Sequence, residues 1–513
     1  MKYFLGIDAG TSGIKALVLD ETGRVCGSGY RECDLITPRF GWVEQDPREW
    51  WIACSIAVKE AVKKCGHGKE IEGIGLSGQM QGITLMDQNM ESIGNCMIWL
   101  DQRAEEEVND IERLMSEKEM LTLTANYCLN SFWAPKLLWL KKNDPKTFDR
   151  IRTVLFTKDY IRYRMTGEVA TEVSDASLTF LMDVPGRKWS DPIFKKLGIP
   201  KEIVPARLAE SCEVVGHLLS EVAEEWGMRA GIPVVAGGGD QPAGGVGTGI
   251  VRPGTIGVTI GTSGVVFGCT DEALIDTKKR AMMSMAHSVK GKWCFLGLVL
   301  TAGGSFKWLR DTLFADKKAA LAAEGKDIYD YMTSMAAESS PGSAGLTFLP
   351  YLNGEKTPIS DPNARATFFG LSYSHSMSDI CRSVMEGVTF ALRDTVEICR
   401  ETGLSVNEIR ANGGGAKSEN WRQMQADIFN ADVLTMNMEE GPAAGAAIMA
   451  AVGTGMFETE EQACDEWVKV ASVTHPILKN ADQYNDYYQA YHDLYPALEE
   501  RFVVQAALVE KYH

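Results

Sequence analysis

Gly6-Ile7-Asp8-Ala9-Gly10-Thr11-Ser12-Gly13-Ile14 returns 251 positions later as Gly257-Val258-Thr259-Ile260-Gly261-Thr262-Ser263-Gly264-Val265. Both copies read G-x-x-x-G-T-S-G followed by a branched aliphatic residue, with apolar residues on either side. That pattern reads as two strands joined by a tight hairpin. Such a turn presents backbone N–H groups and two hydroxyls with little side-chain obstruction, which suits phosphate oxygens. A single copy would also be ordinary turn chemistry. Two copies half a chain apart point to a duplicated domain with a nucleotide's phosphate chain held between facing hairpins. The copies differ where chemistry would sit: Asp8 and Lys15 in the first correspond to Thr259 and Val266 in the second. One half thus offers an acid able to hold Mg²⁺ through water and a cation for phosphate; the other offers neutral donors. Magnesium keeps several waters and takes one or two carboxylates plus substrate phosphates, which fits the unequal pair.

The remaining bulk properties set bounds. A chain of 513 residues holds two or more domains, and the second hairpin places a boundary near 250, giving segments 1–250 and 251–513. A net charge of −17 without any basic cluster argues against nucleic acid or an anionic membrane as partner. The longest apolar candidate, 443–456, falls short of the roughly 20 residues of a membrane span and reads as a packed helix. Twelve cysteines without a C-x-x-C pair, and no secretion signal, read as the reduced thiols of a cytoplasmic protein.

Along the chain, 3–7 and 14–19 form the first hairpin, and a turn at 21–24 leads to a third strand. A helix is expected near 48–64, with Pro47 placed to start it. A strand follows at 71–76, then helices over 102–125, 134–142 and 157–167, a strand at 233–236, and a closing aromatic helix over 481–510. Gly73 to Gly78 matches the dinucleotide fingerprint G-x-G-x-x-G. That fingerprint must open a helix, whereas 79–87 reads as another strand, so a nicotinamide enzyme is set aside. No G-x-x-x-x-G-K-[ST] and no H-E-x-x-H occur.

Two further stretches carry candidate chemistry. Asp240 ends a strand in a loop with seven glycines between 237 and 249, just before the second hairpin. There it is either a turn aspartate or an acid that takes the proton from a hydroxyl attacking a γ-phosphorus. Ile409-Arg410-Ala411-Asn412-Gly413-Gly414-Gly415-Ala416-Lys417-Ser418 is a strand that breaks at three glycines into a helix. Ser418 is its expected N-cap, and Trp421, Met424 and Ile428 its buried face. A turn this flat could hold a planar base, or could simply connect strand to helix.

Taken together, the two hairpins, the Gly-rich Asp240 loop and the triple-glycine turn resemble the FGGY carbohydrate kinases, members of the actin-like ATPase superfamily. Lys136-Leu137-Leu138-Trp139 and the stretch from Gly370 to Gly387 resemble that family's two signature regions. Trp133 departs from the first, which expects a small residue or proline there. Within the family, Gly78-Gln79-Met80-Gln81-Gly82, Trp99-Leu100-Asp101-Gln102-Arg103 and Gly345 to Leu352 are most similar to xylulokinases. The resemblance implies two α/β domains of actin-like (ribonuclease H-like) fold flanking a cleft, with sugar bound on the first and ATP mainly on the second. It implies Asp240 as catalytic base and Met80, Gln81, Asp101, Arg103, Asp240 and Gln241 as sugar contacts. Asp8 would lie near Mg²⁺. Gly10, Thr11, Ser12, Lys15, Gly261, Thr262, Ser263, Gly303, Lys307, Gly414, Gly415 and Ser418 would surround ATP. The substrate it implies is a small sugar, foremost D-xylulose at its 5-hydroxyl; dimers are common among such kinases, so a homodimer is also expected. Three residues depart in the sugar site: Gln81 replaces His, Gln241 replaces Asn, and Leu100 replaces the Asn of W-N-D. Other ketoses or polyols (ribulose, L-xylulose, a tetritol) therefore stay open as substrates, as does an inactive sugar-binding homologue.

Overall fold

The computed structural model describes residues 1–278, 282–406, 408–438 and 440–512. Two mixed sheets organise it. The first contains β1 (Tyr3–Ala9), β2 (Gly13–Asp20), β3 (Val25–Glu32), β4 (Ile71–Gly78), β5 (Val214–His217) and β6 (Pro233–Val235), in the order β5-β6-β4-β1-β2-β3. The second contains β7 (Thr255–Ile260), β8 (Gly264–Thr270), β9 (Met282–Ala286), β10 (Trp293–Val299), β11 (Glu408–Gly413), β12 (Asp432–Met436) and β13 (Val470–Thr474). Its order is β9-β10-β8-β7-β11-β12-β13. In each, an antiparallel trio (β1, β2, β3; β7, β8, β10) is extended by two parallel strands beside the first (β4, β6; β11, β12). The duplicated hairpin thus marks a duplicated topology.

Local sequence accounts for the helices that brace these sheets. Asp46 accepts a hydrogen bond from Arg48 N and Pro47 opens α1 (Pro47–Cys65); Trp50, Ala53, Cys54, Ala57, Val58 and Ala61 form its buried face. α2 (Thr157–Thr166) stops at Gly167, which is left-handed at φ 74°. The glycine-rich stretch expected as a loop is instead helical from Asp240 onward, as α3 (Asp240–Gly247). Helices α4 (Gly303–Leu313), α5 (Met377–Glu401), α6 (Glu419–Phe429), α7 (Gly441–Gly453) and α8 (Leu478–Tyr512) follow.

The crossing of α3 and α7 between the sheets explains Gly247, whereas a Cβ on Gly245 would run into Phe267 of β8. A Cβ on Gly445 would lie 1.8 Å from Ala243 O, and one on Gly247 1.9 Å from Gly441 O. A Cβ on Gly6 would lie 1.9 Å from Ala443 O, and one on Gly75 1.9 Å from Ala446 O. The first glycine of the duplicated motif is therefore where α7 rests on β1, and only the turn beyond it faces the cleft. Elsewhere, α8 lays tyrosines onto α5 and the loop before it. Tyr484 OH donates to Glu386 (2.6 Å), Tyr488 OH to Asp394 (2.7 Å) and Tyr495 OH to Asp361 (3.0 Å), while Tyr491 meets Tyr351 at 3.1 Å.

Two other local expectations change. The segment 102–125 is not one helix but two, Glu105–Leu114 and Glu117–Thr124, because extended Ser116 caps the second by accepting from Glu119 N. The strand expected over 79–87 is only Thr84–Met86; Gln81 sits at φ 66°, which breaks the extended run.

Candidate active site

Strand β1 delivers Asp8 to the cleft, with Lys15 opposite it on β2. Ser77, at the end of β4, donates to Asp8 Oδ1 at 2.5 Å. One step along the sheet, Gly238 and Gly239 pair with Ser77 and Gly78, and Asp240 starts α3 immediately afterwards. Both carboxyls keep an opening to the cleft, yet protein encloses them enough to favour their neutral forms. Burial raises Asp240 to about 7, and the negative charge of Asp8 adds to the rise. Burial raises Asp8 to about 6, against the Ser77 hydrogen bond and the Lys15 charge. Lys15 pairs across the cleft with Glu440, which directly precedes α7. Among the described residues no three His, Cys, Asp or Glu side chains cluster as a ready metal cage. Asp8 is a single carboxylate at the cleft, so a Mg²⁺ there would be completed by phosphate oxygens and water.

The sequence-level correspondence of Lys15 with Val266 does not hold. The first turn closes with Ala9 opposite Ile14, whereas the second closes with Ile260 opposite Gly264, so Thr259 faces Val265. A slip of one residue exchanges the two faces of a strand. Val265 is the counterpart of Lys15, and Val266 is fully buried in the core of the second half.

The sugar half is tightly arranged. Met80 packs against the backbone of Gly239, and Gln241 bonds with the Asp240 carboxyl next to it. Gln81 O accepts from Lys136 Nζ (3.0 Å), which also holds Met97 O and Ile98 O. Burial draws Lys136 down to about 8. Trp133, the departure from the signature, stacks on Phe156 and donates to Gly82 O at 2.9 Å, so it fixes the loop carrying Gln81. Asp101 and Arg103 are engaged with each other: both Asp101 oxygens are taken by Arg103 and by Val43 N, and Arg103 reaches on to Glu44 beneath the Trp42 ring. Leu100 packs on the core of the first half.

Thr11 is held on three sides: its hydroxyl donates to Gln79 and accepts from Trp99 Nε1, and its carbonyl accepts from Gln45. Gln79 and Trp99 stand in the stretches that resemble xylulokinases, but neither they nor Gln45 were expected to hold the hairpin, since nothing local links three residues so far apart.

On the second half, a cavity of about 380 Å³ is lined by Gly261, Thr262, Gly303, Lys307, Gly414, Gly415 and Ser418. Seven expected nucleotide ligands thus converge. Ser263 does not line it, and Gly10, Thr11, Ser12 and Lys15 belong to the facing hairpin. The triple-glycine turn is steric in origin: Gly413 is left-handed at φ 75°, and a Cβ on Gly415 would come within 2.7 Å of Ile260. Ser418 caps α6 by accepting from Trp421 N. The reading missed Phe306, Asp327, Tyr329, Asp330, Thr333 and Lys417, which also line the cavity; the helix carrying Tyr329 lies far from any motif.

Twin sheets, facing hairpins and an acid at the start of a central helix define a two-domain phosphotransferase of the actin-like ATPase fold. The chain belongs to the FGGY family of carbohydrate kinases: that family's N-terminal domain model matches residues 3–247 and its C-terminal domain model residues 257–454. A xylulose kinase from Bacillus subtilis is 36% identical over 497 residues, covering 96% of this chain and 97% of the relative. Two solved structures from Lactobacillus acidophilus superpose almost equally well, each 27% identical and covering 97% of this chain. A ligand-bound xylulose kinase gives TM-score 0.90 over 99% of its chain, and a gluconate kinase 0.89 over 98%. The protein is a sugar kinase with ATP as phosphate donor. Among the described residues no helix is long and apolar enough to cross a membrane.

Proposed function

We propose that this kinase phosphorylates D-xylulose at its 5-hydroxyl, with Asp240 as base. The observation that carries the reading is the position of Asp240: it follows Gly239, on which Met80 packs, bonds with Gln241, and lies close enough to Asp8 to feel its charge. The Asp240 carboxylate accepts the hydroxyl proton as that oxygen attacks the γ-phosphorus. The new P–O bond forms as the bond to the β-phosphate oxygen breaks, and ADP leaves with the electron pair. Asp8 would hold Mg²⁺, which lowers the charge on the transferring group. Lys15, Thr11 and Ser12 face the phosphates from one side and Thr262 and Ser263 from the other, while the 380 Å³ cavity takes the nucleoside. Met80, Gln81 and Gln241 would contact the sugar; Asp101 and Arg103 would act by stiffening the wall behind them.

Xylulose is preferred because the relatives matched over nearly the whole chain are xylulose kinases. A different sugar is the second reading, favoured by Gln81 and Gln241 and by the equal fit of a gluconate kinase. Leu100 loses weight as a specificity residue, since it packs on the core. The same reading divides the chain at 250 and places it in the cytoplasm, where its twelve unpaired thiols stay reduced. A homodimer is part of it and is checked by mass in solution. ATP-dependent ADP release across ketopentoses, ketohexoses, polyols and gluconate tests the substrate. Highest kcat/KM on D-xylulose, abolished in Asp240→Asn, upholds the proposal; another sugar in first place replaces xylulose and leaves the kinase intact.

A further inference from the structure

Five charged side chains lie fully buried behind the Asp240 segment: Lys158, Asp159 and Arg162 on α2, with Glu172 and Asp175 just beyond. Lys158 Nζ sits 3.1 Å from Asp159, 3.2 Å from Glu172 and 2.7 Å from Asp175. Arg162 is 2.8 Å from Asp159. Three carboxyls stand against two cations, and burial drives Asp175 well above the usual carboxylate range. Such a cluster is a poor stabilising device, because desolvating the charges offsets most of their attraction. What it does provide is direction. Both of its free ends reach the short segment between β6 and α3. Arg162 donates to Ala236 O at 2.6 Å. Glu172 accepts from the Ser174 hydroxyl at 2.9 Å, and that hydroxyl accepts from Gly239 N at 3.0 Å. Gly239 immediately precedes the base.

We infer that Ser174 and Arg162, anchored by the buried cluster, are positioning residues that clamp residues 236–239 at both ends and so aim the Asp240 carboxylate. Neither touches substrate; both act through the backbone of a segment with three consecutive glycines, Gly237, Gly238 and Gly239, which has little stiffness of its own. The four-residue helix Val173–Ala176 that carries Ser174 is followed by Ser177, whose hydroxyl accepts from Ala286 N of the second half at 2.9 Å. The clamp is therefore seated on both halves of the molecule.

The inference rests on Asp240 being the base, and one set of variants separates the two ideas. Ser174→Ala removes the acceptor of the Gly239 amide. It is expected to lower kcat about 10- to 100-fold with little change in KM for sugar or ATP, to displace the acidic limb of the kcat–pH profile, and to speed hydrogen exchange at the Gly239 amide. Ser174→Thr, which keeps the hydroxyl, is expected to restore the limb. If Ser174→Ala keeps the wild-type kcat and pH limb while Asp240→Asn is dead, the clamp is refuted and the base stands. If Asp240→Asn stays active, both fall. Should Ser174→Ala not fold, Arg162→Lys, which keeps the charge but loses the fork joining Ala236 O and Asp159 to Ala170 O, reads the same limb; an unmoved limb there also overturns the inference.

Discussion

The two halves use one topology and one turn motif, yet only the first carries charge on its hairpin. At the end of β1 stand Asp8 and Lys15; at the matching places of β7 and β8 stand Thr259 and Val265. The two central helices keep the symmetry that the hairpins have lost. Asp240-Gln241-Pro242-Ala243 opens α3, and Glu440-Gly441-Pro442-Ala443 enters α7, so each half contributes an acid at a helix start. Their environments differ. Burial, with the Asp8 charge adding to it, pushes Asp240 up to about 7, while Glu440 is paired with Lys15. A duplicated scaffold is thus asymmetric at the cleft: one half sets charge on its hairpin, and the other carries the 380 Å³ cavity proposed for the nucleoside.

That contrast can be broken in graded steps. Asp240→Asn is expected to lower kcat by about 10²–10⁴-fold with ATP binding intact, measured by ADP release and by ATP titration. Asp8→Asn should cost roughly 10²-fold and raise the Mg²⁺ concentration needed for half-maximal rate; Thr259→Val, its counterpart, should change the rate by no more than about twofold. If the two variants suffer equally, the asymmetry is not functional. Lys307→Ala, in the nucleoside cavity, should raise KM for ATP by about fivefold, about 1 kcal/mol, and leave the sugar KM alone. Glu440→Gln should do less still, about threefold on the same constant, because a half-exposed ion pair is worth well under 1 kcal/mol.

The raised acids also have a pH signature. Activity should climb through pH 6 to 7 as Asp8 and Asp240 lose their protons. For stability the sign is opposite. The folded state binds these protons more tightly than the unfolded chain does, so stability is greatest below pH 4 for these groups and declines as pH rises to 7. Asp240→Asn should therefore melt higher than wild type at pH 8 and level with it at pH 4 in thermal scans. A gain that persists at pH 4 would point to a cause other than the buried charge.

Much of this was legible in the residues because it is local. The hairpins, Asp240, the Ser418 cap and the glycine turn are written within about ten positions each. Gly303 and Lys307 were expected from family resemblance, and the fold gathers them with Thr262 and Gly414 around one cavity. What could not be read depended on how distant segments meet. The 237–249 stretch looked like a loop because seven glycines rarely make a helix; the crossing with α7 requires Gly247, and Phe267 against α3 requires Gly245. The Lys15 counterpart was misassigned by one residue because repeats align by letters, whereas strands align by hydrogen bonds. Asp101 and Arg103 looked free to bind sugar until Glu44 and Trp42 appeared around them.

The seat of α7 has a consequence for synthesis. Gly6 and Gly75 open a face of the first sheet to a helix encoded almost 200 residues after α3 ends. At roughly 5–20 residues per second on the ribosome, that face waits about 10–40 s for its cover. The first half is thus born with an apolar surface, Phe4, Leu17 and Leu19 among it, that α7 covers only once it has been made.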